Sequence, residues 1–132
     1  MTFRFMLDTD IVSFWLRGET RVHRAFESHR KQSLCLSAVT LAELRYGASL
    51  TQSAKIHHSI DAFTAVISIL PFDEACTIEF GRIASDLRRR GTPIGDLDTM
   101  IAAHAMALDL TLVTNNVKHF TRVEGLRVEN WL

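Results

Sequence analysis

Asp8, Glu43, Asp96 and Asp98 are carboxylates spread across the chain, each at the end or on the inner side of a run that should be regular. Asp8 closes the apolar run FRFMLD. Glu43 lies within SAVTLAELRYG, and Asp96 and Asp98 open PIGDLDTMIAAHA. Carboxylates gathered this way on an α/β sheet make a site for a hard divalent cation, Mg2+ or Mn2+, because they supply oxygen and negative charge together. Such a site suits phosphodiester hydrolysis, in which the cation activates water and stabilises charge on the phosphate during in-line displacement.

Each of these residues also has a plainer use. Asp8 ends a strand and precedes a helix, but Asp10 or Thr9 is better placed to cap that helix, and a carboxylate at a strand end is costly to bury unpaired. Metal ligation is the preferred role for Asp8, and capping the main role for Asp10. Glu43 fits two patterns. Thr40-Leu41-Ala42-Glu43 matches a capping box, whereas a cap at Ser37 puts Glu43 inside the helix, with Gly47 one turn on leaving room for another element. Asp96 fits a helix N-cap. Asp98 shares a face with Ile101 and Ala102, the stripe that packs on the sheet, and so points inward as the better ligand. Asp96 is then a cap or an outer ligand. Thr114, Asn115 and Asn116 follow the strand TLVT, where an Asn pair suits a turn and also a water-mediated contact to the metal.

The elements that must position these groups alternate between strand and helix. Strands are expected at 3–7, 34–36, 66–70, 111–114 and 127–129. Helices are expected at 11–17, 20–30, 38–50, 53–65, 74–90 and 98–109. This order predicts a mainly parallel sheet of about four or five strands covered on both faces. Ligands in such sheets gather beyond the carboxyl ends of the strands, and that edge carries Asp8, Thr114 and, at a helix N-terminus, Asp98.

The chain has 132 residues, 47% of them hydrophobic, which fits one domain over 1–132 with its own core. Formal net charge is zero, which argues against a basic nucleic-acid-coating protein. Local cations remain: Arg88, Arg89 and Arg90 run into a loop, and Lys118, His119 and Arg122 follow the fourth strand. They are candidate RNA phosphate contacts, with a solvated helix end as the plainer reading. No apolar stretch reaches the ~20 residues of a membrane span, and two cysteines in apolar contexts suggest buried thiols in a reducing cytoplasm. P-loops, GxGxxG runs and nucleophilic Ser or Cys motifs are absent.

MLDTDI, SAVTLAELRYG, IGDLDTMIAAHA and LVTNNVKHF with GLRVENW, in that order and spacing, resemble the PIN-domain family, in particular the VapC-type ribonuclease toxins of bacterial toxin–antitoxin pairs. The resemblance runs over essentially the whole chain. It implies a PIN-like three-layer α/β/α sandwich and an acidic triad of Asp8, Glu43 and Asp98. Asn116 stands where relatives often carry an acid or Asn. Asp96 falls where the family varies. It further implies a Mg2+- or Mn2+-dependent endoribonuclease that cuts structured RNA, often tRNA, and slows translation, leaving 5′-phosphate and 3′-hydroxyl ends. A VapB-like antitoxin covering the groove and a homodimer within a larger assembly are the implied partners. The cluster Phe14, Trp15 and Leu16, with the helix expected from Ser53 to Phe63, is the expected groove. Two other readings compete. One is a catalytically weak PIN-like module that binds RNA or protein. The other is a haloacid-dehalogenase-type phosphatase using Asp8 and Asp10, with Ser37 as its phosphate-binding hydroxyl.

Overall fold

The computed structural model describes residues 2–132. The strands are β1 (Phe5–Leu7), β2 (Leu34–Ser37), β3 (Ser68–Leu70), β4 (Thr111–Val113) and β5 (Val128–Glu129). They form one sheet in the order β3-β2-β1-β4-β5, with every neighbouring pair parallel. The helices are α1 (Thr9–Leu16), α2 (Thr20–Glu27), α3 (Ala38–Leu50), α4 (Ala54–Thr64), α5 (Glu74–Arg89), α6 (Asp96–Ala107) and α7 (Val117–Phe120). A short 3-10 turn, Lys31–Ser33, leads into β2.

Strand periodicity divides the core in two. Phe5 and Leu7 face one side of β1 and Met6 the other; Leu34 and Leu36 are likewise opposed to Cys35, and Val113 to Leu112. One set packs with Ile11, Val12, Val22, Ile60 and Phe63 of α1, α2 and α4. The opposite set packs with Ile83 and Leu87 of α5 and with Ile101, Ala102 and Ala105 of α6. The result is the three-layer α/β/α sandwich expected. Both cysteines are buried free thiols, and burial pushes Cys35 up to about 12.

After β1 the chain winds one way through β2 and β3, then returns across β1 to add β4 and β5. The topological switch point is therefore between β1 and β4, and the crevice beyond their carboxyl ends is the fold's natural ligand position.

Two caps differ from expectation. Asp8 itself caps α1: it is extended (φ −74, ψ 162) and its Oδ1 accepts from the Thr9 amide at 2.8 Å. A single residue, Asp8, separates the strand from the helix, so the residue that follows the strand is also the N-cap, and Asp10 falls in the first turn. Gly95, not Asp96, is the N-cap of α6. Asp96 occupies the first helical position, exposed, where a negative charge suits the helix dipole. The helix α7 was not expected; four residues carry too little periodicity to signal it. Strand β3 is shorter than expected and lies at the sheet edge, with Ser68 and Ile69 exposed.

Ser37 settles how α3 begins. Its hydroxyl accepts from the Val39 amide at 3.0 Å and stands 2.8 Å from Nδ1 of the buried His104. Burial holds His104 below its usual range, and its Nδ1 shares a buried hydrogen bond with the Ser37 hydroxyl. One hydroxyl thus caps α3 and ties β2 to α6. Replacing Ser37 with Ala removes the cap and orphans a buried ring nitrogen. The expected loss is about 2–3 kcal/mol in urea unfolding, with cleavage per folded molecule kept. A loss under about 0.5 kcal/mol would contradict this role.

Candidate active site

Asp8 follows β1 directly and lies in the switch-point crevice, 4% exposed. Its Oδ2 accepts from the Thr114 hydroxyl at 2.8 Å, and its amide donates to the Val113 carbonyl at 2.8 Å. Thr114, at the end of β4, is fully buried and also lies 3.4 Å from Asp10 Oδ2. That Asp10 oxygen accepts from the Asn115 amide at 3.0 Å, while Oδ1 of Asp10 is buried with no partner. The Asn116 amide donates back to Thr114 Oγ1 at 2.9 Å. The Asn pair therefore does form a turn, and that turn locks onto the hydroxyl that holds two carboxylates together.

Glu43 lies inside α3, as the Ser37 cap requires, and its Oε1 accepts from the Thr9 hydroxyl at 2.7 Å. This bond joins the start of α1 to α3 and brings Glu43 to the crevice. Asp98, in the first turn of α6, is half-buried, with Oδ2 at 3.9 Å from Nδ1 of His119. Asp8, Glu43 and Asp98 thus occupy one edge of the sheet, with Asp10 as a further carboxylate.

The charges confirm that proximity. Burial and the neighbouring Asp10 carboxylate push Asp8 up from 3.8 to about 7, and Asp98 adds to the shift. Burial raises Asp10 as well. Glu43 is raised by burial and by the charges of Asp98 and Asp10, against the lowering effect of Thr9. Burial raises Asp98, with His119 opposing. These groups resist ionising together, and a cation is what relieves them. The donor set is nearly all oxygen, and the orphaned Asp10 Oδ1 is a buried lone pair looking for a partner, so the residues fit a hard divalent ion. As the side chains stand, no three His, Cys, Asp or Glu among the described residues are close enough to hold one ion together.

Asp96 is exposed and lines a shallow depression between α5 and α6 with Arg88 and Pro93, away from the crevice. Two of the candidate RNA contacts are held by the protein. Arg90 pairs with Asp86 and donates to the Arg122 carbonyl, and Arg122 donates to the Pro93 carbonyl. Arg88, Arg89 and Lys118 are exposed. Ser37 is sealed in the core against His104, which removes the phosphate-binding hydroxyl of the phosphatase reading. Two site residues were read otherwise in the sequence. Asp10 read as a cap, although its spacing two residues past the strand-end acid was a usable signal. Thr9 enters only through its contact with Glu43, and His119, expected as one of a run of cations, is placed beside Asp98.

An open groove of about 840 Å3 leaves this site between α1, α3 and α4. Thr9 and Glu43 line it at the crevice, and Leu16, Gly47, Lys55 and Ile56 line it further along. Of the apolar cluster on α1, Leu16 faces this groove. Trp15 turns away to stack on His23 and meet Phe63.

The raised Asp8 gives a stability test. A carboxyl raised on folding contributes stability below its unfolded value and loses it as pH rises through the folded one, here from 3.8 to about 7. Without metal, Asp8→Asn should match the parent protein's melting temperature near pH 4. By pH 8 it should be more stable, by on the order of a few kcal/mol, while cleavage is abolished. Equal melting curves at pH 8 would mean that Asp8 is not under charge stress.

Comparison with known proteins accords with this geometry. The PIN domain family model matches residues 5–126. The tRNA(fMet)-specific endonuclease VapC of Shigella flexneri is 40% identical over 129 residues, covering 97% of this chain and 98% of that protein. Ribonuclease VapC2 of Rickettsia felis is 34% identical over 130 residues, covering 96% and 97%. Among solved structures, VapBC2 from Rickettsia felis bound to a promoter DNA fragment superposes with a TM-score of 0.89 at 33% identity, covering 100% of both chains. DNA-bound VapBC from Salmonella typhimurium gives 0.89 at 34% identity, covering 98% and 99%. With a crevice of buried carboxylates at the switch point of a parallel sheet and full-length likeness to these ribonucleases, the chain belongs to the PIN-domain family, among its VapC ribonucleases.

Proposed function

We propose that this protein is a divalent-metal-dependent endoribonuclease toxin that cuts structured RNA, tRNA in particular, and is neutralised by a VapB-like antitoxin seated in the groove beside α3. The observation that carries the metal-dependent chemistry is the crowding of Asp8, Asp10, Glu43 and Asp98, each raised above its ordinary range mainly by burial. A bound Mg2+ or Mn2+ supplies Lewis acidity toward water and phosphate and the positive charge these groups lack. Asp8, Glu43 and Asp98 are the residues that would hold it.

The chain's own part is positioning. Thr114 and the Thr9 amide fix both oxygens of Asp8, and Thr9 fixes Glu43, so the carboxylates have little freedom to lose on closing around a charge. A carboxylate of this cluster, in its charged form, would accept the proton of the attacking water. The site opens at a sheet edge, which favours a flexible RNA loop over an A-form duplex, whose backbone is fixed and whose bases are hidden. The two ribonuclease relatives compared above, one tRNA(fMet)-specific by name, support RNA as substrate. The exposed Arg88, Arg89 and Lys118 offer phosphate contacts that position without reading sequence.

The groove supports the partner. Its wall between α3 and α4 is tied by Arg45, which pairs with Asp61 and reaches Nδ1 of His57 at 3.1 Å. Its floor is apolar at Leu16, Leu44 and Ile60, and it ends at Glu43. An amphipathic antitoxin segment lying there could bring a cation to the carboxylates. The VapBC complexes among the similar structures support an antitoxin partner. Self-association fits the exposed Tyr46, Leu50 and Ile78. No helix among the described residues is long and apolar enough to cross a membrane, and we assign the protein to the cytoplasm, where its RNA is.

Purified protein should lose cleavage in EDTA and regain it with Mg2+ or Mn2+, leaving 5′-phosphate and 3′-hydroxyl ends. Asp98→Asn should be inactive and Asp96→Asn only mildly affected. Cleavage that survives EDTA, or 2′,3′-cyclic phosphate ends, would defeat the metal mechanism.

Gly47 provides a separate test of the groove. A Cβ added there meets nothing within 4 Å, so a larger side chain fits the free protein and projects into the groove. Gly47→Phe should keep RNA cleavage but weaken antitoxin binding at least tenfold in titration calorimetry. Undiminished antitoxin binding would place the partner elsewhere.

A further inference from the structure

The helix α7 is four residues long, too short to be stable alone, yet it is pinned at both ends. At its start the Asn116 amide donates to Thr114 Oγ1, the hydroxyl that also bonds Asp8. At its end Phe120 is fully buried in the core beneath α6. Between these anchors His119 stands at the rim of the crevice, with Nδ1 3.9 Å from Asp98 Oδ2. The Asn116 side-chain amide nitrogen lies 2.9 Å from the same Nδ1. Asn116 and Asp98 thus hold the ring from its Nδ1 side and leave Nε2 free. Its side chain is 44% exposed, so that nitrogen is within reach of an incoming molecule.

The chemical contrast matters. The groups around His119 in the crevice are carboxylates, which repel a phosphate approaching the cation. Among the cationic candidates, Arg90 and Arg122 are committed to protein acceptors. A pinned imidazole N–H beside Asp98 is the donor this rim offers to a phosphodiester, and a fixed donor costs less ordering than a free lysine.

We propose that His119 is a substrate-binding residue whose Nε2–H donates to a phosphate oxygen of the RNA strand as it crosses Asp98. Lys118, exposed on the same short helix, adds charge to the neighbouring phosphate. This assignment rests on the endoribonuclease reading above.

The test uses the free protein, total bacterial tRNA and two variants. His119→Phe keeps a ring without an N–H, and His119→Gln places an amide N–H near the original Nε2. Single-turnover cleavage in Mn2+ is measured against protein concentration, and Mn2+ affinity is measured separately by electron paramagnetic resonance of the free ion. His119→Phe should raise the half-saturating concentration about tenfold, the scale of one charge-assisted hydrogen bond. The saturating rate and the Mn2+ affinity should stay within about twofold, and His119→Gln should recover most of the loss. An unchanged half-saturating concentration would overturn the proposal. So would a loss confined to the saturating rate, which marks proton transfer, or weakened Mn2+ binding, which marks a metal ligand. Absence of any metal-dependent cutting by the unaltered protein would defeat the nuclease reading itself, a result distinct from each of these.

Discussion

Asp8 is held under two opposed demands. The fold buries its carboxylate at the end of the central strand beside Asp10, which drives it toward the neutral form. The Thr9 amide and the Thr114 hydroxyl meanwhile bond its two oxygens and favour the charged form. Burial wins, and the group rests at about 7. The same contest runs through Glu43, where Thr9 opposes burial and two neighbouring charges. Several carboxylates are thus kept close together at a cost in stability, the pattern by which enzymes store an affinity for cations in a folded site.

The architecture makes that crowding possible with few residues. Because one residue links β1 to α1, a single aspartate follows the strand, caps the helix and faces the crevice. Because β4 lies next to β1, Thr114 arrives opposite Asp8 from more than a hundred residues away, and bonds it directly. Core packing on both faces holds the strands that carry these groups, so the crevice inherits the rigidity of the sheet. The groove beside α3 begins at Glu43, which explains how a partner bound along that helix reaches the chemistry without touching the sheet.

The layers and the acidic positions were legible from the chain because both follow from local rules. Alternation along FRFMLD and the stripe Ile101, Ala102, Ala105 mark which side of each element is buried, and Asp98 shares the inward side of its helix. The helix from Ala38 to Leu50 has the bounds expected, but whether Ser37 or Thr40 caps it was open until the Ser37 hydroxyl was found accepting from Val39. What was hidden depends on partners distant in sequence. Whether Asp8 or Asp10 caps α1 turns on Asn115, whose amide claims Asp10. Thr9 has no signal of its own until α3 presents Glu43. His119 reads only as one member of a cationic run until α7, anchored at Thr114 and Phe120, sets it beside Asp98. The arginine run that looked cationic from composition is partly neutralised by Asp86 and by backbone carbonyls.

The central claim is that the buried carboxylates at the switch point exist to hold a divalent cation. Crystals of the free protein soaked in Mn2+ and measured for anomalous scattering address it most directly. The account predicts an anomalous peak in the crevice between Asp8 and Asp98, within ligand distance of at least two of Asp8, Glu43 and Asp98, and absent from crystals of Asp98→Asn. Ordered crystals with Mn2+ on the surface and none in the crevice, or an undiminished peak in the variant, would contradict it.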